Sequence, residues 1–266
     1  MVKLVVSMII FFSVCECGFE KSSLGARAYG MGCALTADVG DVWSIVSNPA
    51  GIASIDNIKF GCAYTPQVLG MSELSTQAVV GNIPVSFGVF GCLIQSYGFK
   101  MYREITATIS YGANISALFL GINLNYYHLS IERYGSNATF GCDAGINIPL
   151  SEKIRCGMST RNINSPSIGK AKEKLPQSIS LGVDYKPFDN LQIVLDAYKE
   201  TSFDPSLRTG IEYWLVDAFA IRAGLIEYPM QYSAGFGIRI SVFQIDYASN
   251  RHIDLGWTHT ISLSFF

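Results

Sequence analysis

The chain of 266 residues has a formal net charge of −2, and 15% of its residues are charged, against about 25% in an average soluble domain. Glycine (25 residues), phenylalanine (16) and tyrosine (14) are abundant. This composition is typical of membrane proteins and all-β proteins, and without a basic excess nucleic acid is not an expected partner.

The first residues predict export. Lys3 precedes an apolar run over residues 4–14, which is the order and length of the charged and apolar regions of a signal peptide. The run is too short to span a bilayer, which takes about 20 apolar residues. We expect cleavage after Cys15 or Cys17 and assign residues 1–18 to the signal peptide. Lipoprotein processing at Cys15 and a buried N-terminal helix are the alternatives.

Residues 19–56 lack strand-like alternation and contain the segment WSIVSNPAGIAS. Asp41 is placed to cap a short helix over residues 42–47. Pro49 disfavours helical geometry at Asn48 and ends that helix. The same geometry lets Asn48 cap a second helical turn, with Pro49 in its first position. The segment is predicted to be a rigid helix–kink–helix unit.

From residue 57 to the end, apolar residues recur with a period of two. In SISLGVDY, for example, Ile179, Leu181 and Val183 alternate with small or polar residues, as expected for a strand with two different faces. Fourteen strands are predicted, near 57–65, 76–83, 85–96, 103–112, 116–130, 138–148, 153–161, 177–186, 190–199, 206–214, 217–227, 231–240, 242–249 and 257–266. The predicted connections alternate between short turns and longer loops, which is the layout of an up-and-down membrane barrel.

The polar face of these strands decides between a membrane barrel and a soluble exported β-protein. It is rich in Gly, Ser, Thr and Asn and carries isolated charges of both signs, unlike the Lys/Glu surface of a soluble sheet. A charge on the lipid face costs roughly 2–4 kcal/mol for Arg or Lys at the midplane. The charges predicted to face the lumen are Asp143, Arg155, Asp184, Asp196, Arg208, Glu212, Arg222, Arg239 and Asp246. Salt-bridged struts and a polar solute path are both compatible with this set.

The strand predicted over residues 85–96 changes phase. Its apolar residues occupy odd positions up to Val89 and even positions from Phe90. A switch of this kind beside Gly91 indicates a β-bulge, which would disturb the wall of the barrel locally.

The chain ends in WTHTISLSFF. Ile261, Leu263 and Phe265 alternate with polar residues, and Phe266 is the last residue. This ending resembles the C-terminal assembly signal of bacterial outer-membrane barrels, which implies the barrel-assembly machinery as a partner. In that signal the apolar phase normally includes the last residue, whereas here it falls on Phe265.

The segment before the strands resembles the N-terminal signature of the FadL-like outer-membrane superfamily and is most similar to its PorV/PorQ-type branch. The matching residues are Gly25-Ala26-Arg27-Ala28, Gly30-Met31-Gly32, Ala37-Asp38 and Asn48-Pro49-Ala50-Gly51. The resemblance implies that residues 19–56 form a hatch inside an outer-membrane barrel of residues 57–266. It also implies that the phase switch parallels the kinked third strand that forms a lateral exit in this superfamily.

The resemblance implies two functions. One is uptake of hydrophobic or small amphipathic compounds; the other is a PorV-like surface platform that binds secreted-protein tails in type IX secretion. A soluble exported β-protein or a purely structural outer-membrane barrel is the alternative. An enzyme is not expected, because His128, His252 and His259 have no metal-ligand spacing and no nucleophile motif is present. The odd number of cysteines at irregular spacing predicts neither a disulfide framework nor a metal site, and no cofactor is expected.

Overall fold

The computed structural model describes residues 18–19, 23–68, 71 and 74–266. All of the predicted signal peptide except Gly18 lies outside these residues. No helix among the described residues has the length and apolarity needed to cross a bilayer.

Fourteen antiparallel strands close into one barrel, in which the first strand pairs with the last. The prediction of a fourteen-stranded antiparallel barrel is confirmed. The barrel strands are β1 Lys59–Thr65, β2 Ser75–Val85, β3 Gly88–Phe99, β4 Tyr102–Ile115, β5 Leu118–Ile131, β6 Gly135–Pro149, β7 Ile154–Arg161, β10 Ser178–Phe188, β11 Leu191–Glu200, β12 Ser206–Val216, β13 Phe219–Ile226, β14 Gln231–Ile240, β15 Phe243–His252 and β16 Gly256–Phe265. A small hairpin, β8 Ser167–Ile168 and β9 Glu173–Lys174, lies in the connection between β7 and β10.

The two faces of each strand have opposite character. On β11, Leu195 is half exposed on the outside, whereas Val194 and Asp196 are buried inside. Exposed large apolar side chains cover the exterior along the other strands as well. A soluble protein hides such a surface, so this exterior is suited to lipid.

The connections differ between the two ends of the barrel. At one end five connections have two residues each, 86–87, 116–117, 189–190, 217–218 and 241–242; we call this the short-turn end. The opposite, long-loop end carries the connections 66–74 and 162–177. Two connections predicted to be long at this end are tight, because β3 continues to Phe99, β4 begins at Tyr102 and β6 begins at Gly135.

The predicted β-bulge at Val89, Phe90 and Gly91 is wrong. The β2–β3 ladder runs without a register shift from Ser75 to Val85, and the β3–β4 ladder is equally regular. The apparent phase switch has two causes. Residues 86–87 form a turn, so the earlier apolar positions do not belong to β3. Beyond the turn, Val89 faces inward and is 3% exposed while Phe90 faces outward, because the inner face of β3 is also apolar. The ladders shift register instead near the short-turn ends of β10 and β12.

Three short helices lie inside the barrel: α1 Ala26–Gly30, α2 Ser44–Ser47 and a 3₁₀ helix Pro49–Ser54. Asn48 is extended (φ −158°, ψ 113°), and its side chain accepts a hydrogen bond from the Ala50 N–H at 3.0 Å, as the sequence predicted. The first helix of the pair begins at Ser44, two residues later than predicted. Asp41 Oδ1 accepts from the Trp43 N–H at 2.8 Å and closes a turn before the helix.

Candidate functional site

The Asn-Pro-Ala-Gly segment is held by the barrel wall on several sides. Asn48 is fully buried, and its amide donates to the carbonyl oxygens of Thr36 (2.7 Å) and Ile146 (3.2 Å). A Cβ at wall residue Gly121 would collide with the backbone of Pro49 and Ala50. Here the hatch backbone lies directly against the wall, so the motif is a docking element with a defined seat. Gly51 lies in the same buried turn and packs on Ser44 of the preceding helix.

The Gly-Met-Gly segment makes a second backbone-to-backbone contact. Gly32 has a φ of +60°, and a Cβ there would collide with the carbonyl of Thr209 on β12. Gly210 leaves the space in which the Met31 backbone lies, and Gly30 packs on the side chain of Arg222. Glycine is therefore required both for the left-handed conformation and for the close approach.

An apolar cluster joins the hatch to the first barrel strands. Trp43, Ile45 and Ile52 of the hatch pack in one buried cluster with Val80 and Val89 of the wall. Val89, predicted as part of a bulge, is thus a hatch contact. At about 25 cal/mol per Å² of buried apolar area, such a cluster contributes several kcal/mol to hatch seating.

Arg27 is the centre of the hatch's polar attachment. Its guanidinium lies 2.6 Å from Asp38, 2.9 Å from Asp41 and 3.0 Å from Glu212 of β12. It also donates to Gln192 of β11 at 2.8 Å. Since two partners belong to the hatch and two to the wall, Arg27 fixes the hatch internally and to the barrel. Arg27 matches the family signature, but the sequence did not point to a site role for it; the available signal was a single charged residue within residues 22–37.

The wall charges continue this network. Arg222, whose side chain is fully buried, bridges Glu212 at 2.5 Å and Asp246 at 2.7 Å. Arg155 lies 3.4 Å from Asp184 on the neighbouring strand. Together these contacts form ion-paired struts on the inner wall of the barrel.

The remaining predicted lumen charges have different partners. Asp196 accepts hydrogen bonds from the Thr36 N–H (3.0 Å) and hydroxyl (2.6 Å), and so binds the hatch. Asp143 accepts from Asn125 at 2.7 Å. The Arg208 guanidinium stacks 3.7 Å from the ring centre of Tyr198. Arg239 is more exposed, at the short-turn end, where its guanidinium lies 4.3 Å from the Trp214 ring and 5.6 Å from that of Phe266.

The electrostatics of the hatch favour the charged forms of Asp38 and Arg27. Burial disfavours the charged form of Asp38, but the adjacent Arg27 guanidinium and the hydrogen bond from Gln192 outweigh it and lower the pKa of that carboxyl. Burial likewise opposes the charge on Arg27, and the carboxylates of Asp38, Glu212 and Asp41 outweigh it and raise its pKa. Both groups therefore stay ionised in the assembled hatch.

Between the hatch and the long-loop end lies a cavity of about 730 Å³, which we call the vestibule. Aromatic rings from hatch and wall line it, together with polar side chains such as Asn123 and Arg161. Asn123 is 5% exposed and donates to the Ile45 carbonyl, while its Oδ1 is buried and accepts no hydrogen bond from the described residues. The vestibule thus offers both apolar surface and polar groups. A second cavity of about 230 Å³, lined mainly by charged and polar residues, lies on the other side of the hatch at the short-turn end.

The connection 162–177 packs against residues that line the vestibule. Its residues Ile168 and Leu175 pack in one buried cluster with Tyr127 and Phe19. Asn162 is fully buried; its amide donates to the Pro176 carbonyl at 2.7 Å, and its Oδ1 accepts from the Tyr127 hydroxyl at 3.0 Å. This connection is anchored by specific hydrogen bonds.

Other predicted features lie outside this site. Ile261, Leu263 and Phe265 face outward on β16. Within the residues that the structure describes, no group of His, Cys, Asp and Glu has the arrangement of a metal site, and all five cysteines are free thiols.

The fold has solved counterparts. The Pseudomonas putida toluene transporter TodX superposes with a TM-score of 0.70 at 11% identity, covering 93% of this chain and 98% of TodX. The Ralstonia pickettii toluene transporter TbuX gives 0.69 at 11% identity, covering 93% and 99%. A Pseudomonas aeruginosa FadL homologue gives 0.66 at 12% identity, covering 94% and 99%. No protein-family profile and no curated protein sequence matches the chain. These structural neighbours are two toluene transporters and a FadL homologue, and the likeness shows that this chain shares their fold.

Proposed function

We propose that this protein is a bacterial outer-membrane barrel that takes up small hydrophobic or amphipathic compounds. The observation that carries the proposal is the vestibule, a cavity of about 730 Å³ directly above a hatch. Small-molecule sites are typically concave, largely apolar and equipped with a few polar groups. The toluene transporters among the structural neighbours have the same barrel fold.

The exterior supports the membrane location. Large apolar side chains face outward on both early and late strands, for example Ile109, Leu195 and Ile261. Outer-membrane lipid is the environment such a surface fits. The outward-facing terminal residues Ile261, Leu263 and Phe265, followed by Phe266, are the proposed signal for the barrel-assembly machinery.

The proposed route requires the hatch to move. The ladders on both sides of β3 are regular, so the geometry does not favour a lateral exit at Val89–Gly91. The hatch separates the vestibule from the cavity at the short-turn end. A compound held in the vestibule would therefore pass the hatch, and the contacts of Arg27 and Asn48 would have to open or shift.

Uptake measurements test this function. Cells of a Gram-negative host lacking its own hydrocarbon transporter would express the protein, and accumulation of radiolabelled toluene and of a phenolic analogue would be followed. We expect faster accumulation than in cells with an empty vector. An R27M variant, whose hatch is loosened, should change the rate, whereas K153M should not, because Lys153 is exposed in the turn 150–153 and lines neither cavity. Rates equal to those of the empty vector for every compound would contradict the proposal.

A second candidate is a PorV-like surface platform in protein secretion. The tightly seated hatch and the regular β3 wall favour it, because a platform needs a closed barrel and no solute path. Affinity capture from the native outer membrane tests it. Recovery of secreted-protein tails or secretion components would support the platform, and their absence together with measurable uptake would reject it.

A further inference from the structure

The first described residues, Gly18 and Phe19, lie in the vestibule beside a buried carboxylate. Phe19 is 3% exposed, and its ring contacts that of Tyr127 edge-on, with 5.0 Å between centroids. Both residues line the cavity. Gly18 and Phe19 therefore lie towards the long-loop end, far from the short-turn end at which β1 begins.

The carboxylate is that of Glu104 on β4, which is 7% exposed. Its Oε2 accepts a hydrogen bond from the Phe19 N–H at 2.9 Å, and its Oε1 accepts from the Tyr102 hydroxyl. A Cβ at Gly18 would collide with both Oε1 and that hydroxyl, so the Gly18 backbone lies against the carboxylate. In the described part of the chain, no Lys or Arg nitrogen lies within 4 Å of Glu104.

A buried carboxylate is costly unless a positive charge or several hydrogen bonds compensate it. Cleavage of the chain just before Gly18 would create such a charge, because it converts the Gly18 amide into an ammonium group. Cys15 and Cys17 are small residues at the third and first positions before Gly18, and they follow an apolar run, as in signal-peptidase sites. Oε1 lies where a Cβ on the Gly18 Cα would be, and the Gly18 nitrogen is about 1.46 Å from that Cα, so the nitrogen lies within about 5 Å of Oε1.

We propose that the chain is cleaved after Cys17 and that the new α-ammonium group of Gly18 pairs with the Glu104 carboxylate. In this hydrolysis the Cys17–Gly18 amide bond breaks, and water supplies the hydroxyl of the Cys17 carboxyl group and a proton of the amine. Before cleavage Gly18 carries a neutral amide; afterwards it carries a positive charge against Glu104, whereas Arg161, also a cationic neighbour of this carboxylate, lies beyond 4 Å. Processing and seating of the N-terminus in the vestibule are thereby coupled.

The first experiment identifies the N-terminus. The full-length protein with its own leader is produced in a Gram-negative host, purified from the outer membrane and analysed by N-terminal sequencing and intact mass. We expect a chain that begins at Gly18. A chain that begins elsewhere, or that carries lipid on Cys15, would overturn the proposal.

The second experiment measures the ion pair. The folded protein is treated at pH 7 with an amine-acylating reagent, and labelling of the Gly18 amine is followed by peptide mass spectrometry with lysine peptides as internal standards. An ammonium paired with a buried carboxylate releases its proton less readily and reacts more slowly. We expect labelling in the wild type to be about tenfold slower than in E104Q, which corresponds to about 1.4 kcal/mol.

E200Q is the matched control. Glu200 on β11 is also a buried carboxylate that accepts from a tyrosine two residues earlier, Tyr198. In E200Q the Gly18 amine should be labelled at the wild-type rate. Equal labelling rates in the wild type and in E104Q would overturn the proposed ion pair. If E104Q does not fold, an alanine inserted between Cys17 and Gly18 displaces the ammonium instead. That insertion should accelerate labelling to a similar degree, and an unchanged rate would equally overturn the proposal.

Discussion

The hatch seat and the vestibule are built on the same strands but from different side chains. On the inner face of β5, Gly121 lies under the hatch backbone, Asn123 and Asn125 follow, and Tyr127 borders the vestibule. On β4, Gly112 contacts the hatch and Glu104 borders the vestibule. On both strands the inward-facing side chains become larger from the hatch towards the vestibule, and the hatch occupies the space that the glycines leave.

The hatch seat and the vestibule are therefore suited to different roles. In the hatch seat, which comprises the wall residues around Gly121 and Gly210, the hatch backbone packs directly on the wall backbone and the charges are paired. This arrangement is suited to binding the hatch in one position. In the vestibule, aromatic rings and polar groups surround a cavity, which suits an occupant that exchanges. The difference predicts that substitutions in the seat affect stability most, whereas substitutions in the vestibule affect binding.

The largest effect is expected for R27M. It leaves Asp38, Asp41 and Glu212 without their guanidinium partner, and removing one partner of a buried ion pair costs about 3–5 kcal/mol. Denaturant unfolding in detergent micelles, followed by tryptophan fluorescence, measures the free energy. K186M is the control, because Lys186 is half exposed and Asp184, 3.8 Å away, keeps Arg155 as a partner at 3.4 Å; we expect a loss of about 1 kcal/mol or less. If R27M and K186M lost equal amounts of unfolding free energy, the buried network around Arg27 would not be the main polar attachment of the hatch.

The next effect is expected for G121A. The added methyl group meets the rigid backbone of Pro49 and Ala50, and overpacking of this kind costs about 1–3 kcal/mol. G81A is the matched control, since its Cβ would lie 3.1 Å from the Phe60 ring, which can rotate away. We expect the unfolding free energy of G81A to stay closer to that of the wild type. The reverse order would argue against backbone contact as the basis of the seat.

A smaller loss of unfolding free energy is expected when the pH is lowered. Because the pKa of Asp38 is lowered in the folded state, its contribution is complete above the unfolded value of about 3.9. The contribution is lost as the pH falls through the lower folded-state value. Unfolding free energies from pH 5 downward should therefore decline below about pH 4 in the wild type. D38N should show a shallower decline, and parallel profiles would assign the acid sensitivity to other carboxyl groups.

The smallest effect on stability is expected in the vestibule. T106V replaces a hydroxyl that lines the cavity and should change the unfolding free energy by no more than about 0.5 kcal/mol. It should nevertheless favour uptake of toluene over a phenolic analogue, measured as the ratio of initial rates in the same cells. An unchanged ratio combined with a large loss of stability would place Thr106 in the structural core instead.

Much of the barrel could be predicted from the sequence. Alternation along segments such as residues 178–185 is a local property, and it predicted the strands, their number and which face is apolar and points outward. Alternation gave the wrong prediction at Val89, because the inner face of β3 packs on the hatch and is as apolar as its outer face. Periodicity alone could not separate a turn followed by a two-sided apolar strand from a bulge.

The candidate site was only partly predictable. The capping role of Asn48 follows from its immediate neighbours and was foreseen. Arg27 was matched by the signature, but its link to Glu212 joins residues 185 positions apart, and no local pattern encodes such a pair. The vestibule was not predicted, because it is defined by the space that the hatch leaves unfilled inside the barrel wall.

By itself, the sequence determined a fourteen-stranded antiparallel barrel with an apolar exterior and a non-strand segment before it, because strand periodicity and turn chemistry act over a few residues. The tertiary structure decided where that segment sits, which glycines receive it, which carboxylates hold Arg27 and how much of the lumen stays open. These features depend on contacts between distant strands, and they exist only once the barrel has closed around its hatch.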